Sequence, residues 1–147
     1  MNITYETDFC AWLKLQSKLL KQKEYEKLDI ENLIEEIEDL GKSERRMLES
    51  HLENLLMHML KVKYQPEKHT KSWDATIKEA TFKANKVLSE NPSLKSNIKQ
   101  MFFDAYFSAR LKAVTETNLD ECIFPEECPW NLKNIFPNLE NKYLNDD

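Results

Sequence analysis

The longest regular pattern of apolar and polar positions runs from Asp29 to Tyr64, DIENLIEEIEDLGKSERRMLESHLENLLMHMLKVKY. Apolar residues recur at Ile30, Leu33, Ile34, Ile37 and Leu40, and again at Met47, Leu48, Leu52, Leu55, Leu56, Met59 and Val62. Steps of three and four hold such side chains on one helix face. The Glu, Lys, Arg and Asn residues between them predict a solvated far face. Asp29 is placed to cap the first turn, and Glu31, Lys61 and Lys63 match the helix dipole in sign. Pro66 predicts a stop at about Gln65. Gly41 allows two readings. It either ends one helix, with Ser43 capping the next, or sits inside a single long one. The stripe keeps its phase through Ile37, Gly41, Glu44 and Leu48, which favours one helix, bent at the glycine, where another helix could approach closely.

The flanking segments predict further helices. Residues Met1–Glu6 read as an arm. Thr7 or Asp8 caps a first helix to about Lys23, with Phe9, Trp12, Leu13, Leu19 and Leu20 on its apolar face. After a polar loop, Gln65–Lys71, Thr70 or Ser72 caps a third helix to about Leu88, apolar at Trp73, Ile77, Ala80, Ala84 and Val87. Asn91-Pro92 signals the start of a fourth, running to about Glu116. Its faces are Leu94, Ile98, Met101, Phe102, Ala105 and Ala109, and on another side Phe103, Tyr106, Phe107, Leu111 and Val114. A helix apolar on two sides is central or takes part in an intermolecular contact. Three of the five prolines fall after Asn118, so that segment is irregular, with one short turn over Asn131–Phe136 packing through Trp130, Leu132 and Ile135. Residues 138–147 read as a loosely held tail. The expectation is an all-α fold: a compact bundle of four main helices around one long central helix, about 29–64, in a single domain of 1–147.

Composition narrows this further. One glycine in 147 residues is too few for an ordinary β or α/β fold, and it excludes glycine-rich phosphate loops. The net charge of −5 does not suggest a general nucleic-acid coat. Three cysteines, Cys10, Cys122 and Cys128, without a signal peptide read as reduced thiols of a cytoplasmic protein. No apolar run is long enough to span a bilayer, so no membrane role is expected.

Three blocks, ENLIEEIEDLGKSERR, LLMHMLKVKYQPEKHTKSWDATI and FPEECPW, occur in this order. Together with YETDFCAWL from Tyr5, they make the chain resemble the domain-of-unknown-function family number 29, a bacterial and largely cyanobacterial group. The resemblance implies a compact all-α bundle. It implies no activity, cofactor or catalytic set. It places Glu35, Glu38, Arg45, His58, Lys61, Tyr64, Gln65, Ser72 and Trp73 in the family's pattern, around the Tyr64–Trp73 loop.

Four constellations bear on chemistry. Asp29, Glu31, Glu35, Glu36, Glu38 and Asp39 include neighbours on one helix face and could hold a divalent cation if a second helix added ligands. A solvated face or a docking surface for a basic partner is the preferred reading, and no metal or other cofactor is assigned. His51 and His58 stand two turns apart at the stripe's edge, too far along the axis for a common zinc ion, and read as core-edge histidines that bond a neighbouring helix. Arg46-x4-His51 resembles the Arg-x4–6-His element of the HEPN ribonucleases, an all-α family; in that reading His51 moves the ribose proton and Arg46 holds phosphate. The loop KVKYQPEKHTKSW interleaves Lys61, Lys63, Lys68 and Lys71 with Tyr64 and Trp73, a pattern that can bind phosphates and stack on bases, although closure of the bundle end is preferred over a nucleic-acid partner.

The sequence favours a non-enzymatic helical interaction or regulatory protein, toxin–antitoxin-like, that binds a protein partner or itself. Its candidate surface comprises Glu35, Glu38, His58, Lys61, Tyr64, Gln65, Trp73, Phe103 and Phe107, with no catalytic residue. The alternatives are a HEPN-like, metal-independent ribonuclease using Arg46 and His51, and a carboxylate-rich metal-binding bundle.

Overall fold

The computed structural model describes residues 4–144, and every regular element among them is helical. The α-helices are α1 (Phe9–Lys21), α2 (Ile30–Tyr64), α3 (Lys71–Glu90), α4 (Ile98–Thr117) and α5 (Leu132–Ile135), joined by short 3₁₀ turns. The chain divides into two compact units, Met1–Ser43 and Glu44–Asp147.

In the first unit Asp8 caps α1, its carboxylate accepting the Ala11 N–H at 3.0 Å. The helix ends in a Schellman-type turn in which Lys23 adopts the left-handed φ of 57° and the Glu24 N–H reaches the Leu19 carbonyl. After the 3₁₀ turn Tyr25–Lys27 the chain doubles back into α2. Tyr5 donates to Glu36 and Trp12 to Asp29, which fixes the two helices as antiparallel. The unit's interior is small: Trp12, Gln16 and Leu19 are buried. Of the arm expected over Met1–Glu6, residues 1–3 lie outside the described residues. Tyr5 stands edge-on to Phe9 and Trp12, at 5.6 and 4.9 Å between ring centroids.

The long helix passes through Gly41 without interruption. A Cβ built on Gly41 would meet nothing within 4 Å. Among the described residues of the first unit no helix makes the close approach expected there.

The second unit holds the core. On α2, Leu48, Leu52, Leu55, Leu56 and Leu60 are at most 1% exposed. They pack with Ala80, Ala84, Val87 and Leu88 of α3, and with Ile98, Met101, Ala105, Ala109 and Ala113 of α4. Thr70 caps α3 by accepting the Trp73 N–H at 3.3 Å. The fourth helix starts later than expected. Pro92 opens a 3₁₀ stretch, Pro92–Asn97, and α4 begins only at Ile98. The Asn91 carbonyl takes the Leu94 N–H at 3.0 Å, an i,i+3 bond that makes this opening turn 3₁₀ rather than α. Asn118, at φ 57°, ends α4.

The segment after Asn118 completes this core. Phe124, Leu132, Ile135, Phe136 and Leu139 are buried, and Asn131 and Asn134 form a capping box that starts α5. Within the stretch 138–144, Glu140 also pairs with Lys95 at 2.9 Å; residues 145–147 lie outside the described residues.

The structure alters two face assignments. The α2 stripe is core only from Leu48 onward, since Ile30, Ile34, Ile37 and Leu40 are 51–67% exposed. On α4, Tyr106 belongs to the core at 4% exposure, not to the outer stripe, because its hydroxyl donates inward to the Pro125 carbonyl. Among the described residues no helix is long and apolar enough to cross a membrane.

Candidate functional site: the lysine–aromatic end of the second unit

The end of α2, the loop before α3 and the proline-containing segment converge around Tyr64. Its ring stands edge-on to the buried Phe124, with centroids 5.6 Å apart at 78°. The Lys63 ammonium lies 5.6 Å from the Tyr64 ring and 5.6 Å from the Trp130 ring, within cation–π range of both. Lys61 is more confined: its side chain is 12% exposed, its ammonium is 4.6 Å from the Trp73 ring centroid, and it pairs with Glu116 at 2.9 Å. Gln65 is buried beside them. In the loop, His69 stacks on Trp73 (6.3 Å, 23°) and bonds the Asp74 carboxylate at 2.6 Å. Two of the three sequence blocks, LLMHMLKVKYQPEKHTKSWDATI and FPEECPW, thus meet in space through Tyr64 and Phe124 and through Lys63 and Trp130.

Arg110, to which no motif pointed, anchors this region. Its guanidinium donates to the Phe124 carbonyl at 3.0 Å, the Glu121 carbonyl at 3.1 Å and the Glu121 carboxylate at 3.0 Å. Tyr106 adds its bond to Pro125, and its phenol is pushed up to about 12, chiefly by burial. Sequence spacing could not reveal Arg110, because its partners are two backbone carbonyls and one carboxylate of an irregular segment.

Chemically, at this end Lys61 is paired with a carboxylate, while Lys63 stays exposed and charged beside two rings. The nearby thiols are not activated. Burial raises the Cys128 thiol, and the bond to Asp120 raises the Cys122 thiol. The aromatics that could stack on bases are already engaged: Trp73 by His69 and Lys61, Tyr64 by Phe124 and Lys63.

The other predicted residues are dispersed. Arg46 and His51 both lie on α2, where a separation of five residues turns the helix by roughly 140°, so they point to different faces. The neighbouring Arg45 bonds Glu49 at 3.2 Å. His51 separates two surface hollows. One, of ≈ 560 Å³, is lined by Ser50, Asn54 and Met57 of α2 and by Lys112 and Thr115 of α4. The other, of ≈ 200 Å³, is lined by Thr76, Glu79 and Lys83 of α3. Burial, aided by the Lys83 charge, lowers the His51 pKa. His58 bonds its own helix: its Nδ1–H donates to the Asn54 carbonyl at 2.9 Å, whereas a bond to a neighbouring helix was expected. That i,i+4 carbonyl lies within reach of the imidazole without any partner element.

Glu35 and Glu38 are exposed in the first unit, and among the described residues no three His, Cys, Asp or Glu converge to hold a metal. Phe103 and Phe107 are exposed on α4 at 68% and 61%.

Neither the curated proteins nor the solved structures yield a match to the chain. One family model does match, over residues 4–143, and it covers both units and all three sequence blocks. On that match the chain belongs to the family described as Domain of unknown function DUF29.

Proposed function

We propose that the protein is a non-enzymatic helical interaction protein, of the regulatory kind that toxin–antitoxin partners exemplify. The observation that supports this most directly is the outer stripe of α4. Phe103, Phe107 and Leu111 follow one another at i, i+4 and i+8 and are 68%, 61% and 44% exposed, while the opposite face of the helix is fully packed. Exposed aromatics at helical spacing on an already stable element are what a partner helix or groove engages. The dispersal of Arg46 and His51, and the engagement of Tyr64 and Trp73 by neighbouring side chains, weigh against an acid–base or nucleic-acid role. Three unpaired thiols suit a reducing, cytoplasmic setting.

The test is cross-linking and affinity capture in cell extract with the wild type and with the Phe103→Ser/Phe107→Ser variant. The reading expects a specific captured protein whose recovery falls at least tenfold in the variant. Equal capture by both, or RNA cleavage that His51→Ala abolishes, would overturn it.

A further inference from the structure

The first unit carries an apolar face that no other described residue of that unit covers. On α2, Ile30, Ile34 and Ile37 are 53%, 51% and 66% exposed; on α1, Phe9, Leu13 and Leu20 are 41%, 40% and 48% exposed. Each set is a helical stripe, at i, i+4, i+7 and at i, i+4, i+11. The stripes open on the same side of the hairpin. On α1 the residues facing α2 are Trp12, Gln16 and Leu19, and the stripe follows them by about 75° in the sense of the helix. On α2 the residues facing α1 and the turn before it are Asp29 and Glu36, and its stripe follows by about 115° in the same sense. Because the helices run antiparallel, equal senses of rotation lead to one common face. An apolar two-helix face of this kind is half of a four-helix bundle.

Charge identifies what completes it. From Phe9 to Lys23 there are four lysines and no acidic residue, while from Asp29 to Leu40 there are six acidic residues and no lysine or arginine. Lys14 and Lys21 flank the α1 stripe; Glu31 and Glu38 flank the α2 stripe. None of these four takes part in an ion pair among the described residues. The unit thus carries both signs, one on each helix.

From this we infer that two copies of the chain pair through their first units into an antiparallel four-helix bundle, α1 of each copy lying over α2 of the other. This deepens the reading of an interaction protein and rests on it, by naming a second copy as a partner. The alternative two-fold pairing, α1 over α1, would set lysines against lysines and carboxylates against carboxylates. In the favoured pairing Lys14 of one copy comes level with Glu31 of the other. Two helices of this length present a face of roughly 20 by 20 Å, which buries several hundred Å² per copy, near the lower end for specific interfaces. The dimer should therefore dissociate on dilution and weaken in high salt.

Sedimentation and light scattering from about 1 to about 200 μM test this. The wild type is expected to rise from its 17.5 kDa monomer mass to twice that value. Ile34→Glu/Ile37→Glu should stay at the monomer mass with an unchanged helical circular dichroism spectrum. Phe103→Ser/Phe107→Ser should dimerise as the wild type does. Lys14→Glu and Glu31→Lys should each weaken the dimer at least fivefold, and together restore it. A wild type that stays monomeric at the highest concentration overturns the inference, as does an Ile34→Glu/Ile37→Glu variant that still dimerises. A monomer that nevertheless captures a partner through Phe103 and Phe107 would overturn self-pairing alone and leave the interaction reading standing.

Discussion

The indole N–H of Trp12 donates to the Asp29 carboxylate at 2.9 Å, joining the middle of α1 to the residue that caps α2. The same carboxylate accepts from the Asn32 side chain at 2.8 Å and from its backbone N–H, and the Asp29 N–H donates to Gln16 at 2.8 Å. These bonds, the Asn32 side chain first, hold the Asp29 carboxyl below its usual value of 3.8. Trp12 is 1% exposed, and only two other described residues of its unit are buried, so this node carries much of the first unit's order. Trp12→Ala should cost about 3–5 kcal/mol of that unit's stability. Asp29→Ala should lower amide-exchange protection in α1 and in residues 30–43. For both variants the protection in α4 should change least. Uniform loss across both units would contradict this reading.

The node also shows what the sequence makes legible. Periodicity reveals α2 and its end at Tyr64, and a capping residue reveals the start of α1 and of α3, because those signals are local. Two helix ends were less clear for the same reason. The left-handed positions that glycine usually fills are taken here by Lys23 and Asn118, while the only glycine sits inside a helix. The exposure of Ile30, Ile34 and Ile37 could not be read at all: a stripe states that a face is apolar, not which element covers it. At the candidate site Lys61, Tyr64 and Trp73 stand out by composition, whereas Arg110 acts through backbone carbonyls that leave no trace in a motif.

The placement of glycine leads to a pair of opposite substitutions. Gly41 is helical and no atom stands where its Cβ would be, so Gly41→Ala should stabilise the protein by up to about 1 kcal/mol in urea titration. Lys23 is left-handed, so Lys23→Gly should stabilise by a similar amount, roughly 0.5–1 kcal/mol, by relieving the Cβ clash. A loss in the first case would mean that α2 is bent or paired at Gly41 in solution.

The Tyr106 hydroxyl has one protein partner, the Pro125 carbonyl, in a largely buried setting. Tyr106→Phe keeps the ring and removes the donor, leaving that carbonyl unpaired, and should cost about 1–2 kcal/mol. Arg110→Met removes three bonds to the 121–124 segment and should cost more. It should also expose Phe124, which increased proteolysis between Leu119 and Trp130 would report.

His51 gives the pH dependence. Burial and Lys83 hold its pKa below the ordinary 6.5, with Glu79 opposing more weakly. The folded state therefore favours the neutral imidazole, while the unfolded chain takes up a proton as pH falls through 6.5. In that window the unfolded state binds more protons, so stability rises with pH and falls on acidification. The contribution is absent above about pH 7.5 and grows as pH drops toward about 5.5. His51→Gln removes it. The fall in Tm between those two pH values should therefore be smaller in His51→Gln than in the wild type. An equal or larger fall would show that His51 titrates in the folded protein as it does in water, and that the hollows on either side of it leave the imidazole fully hydrated.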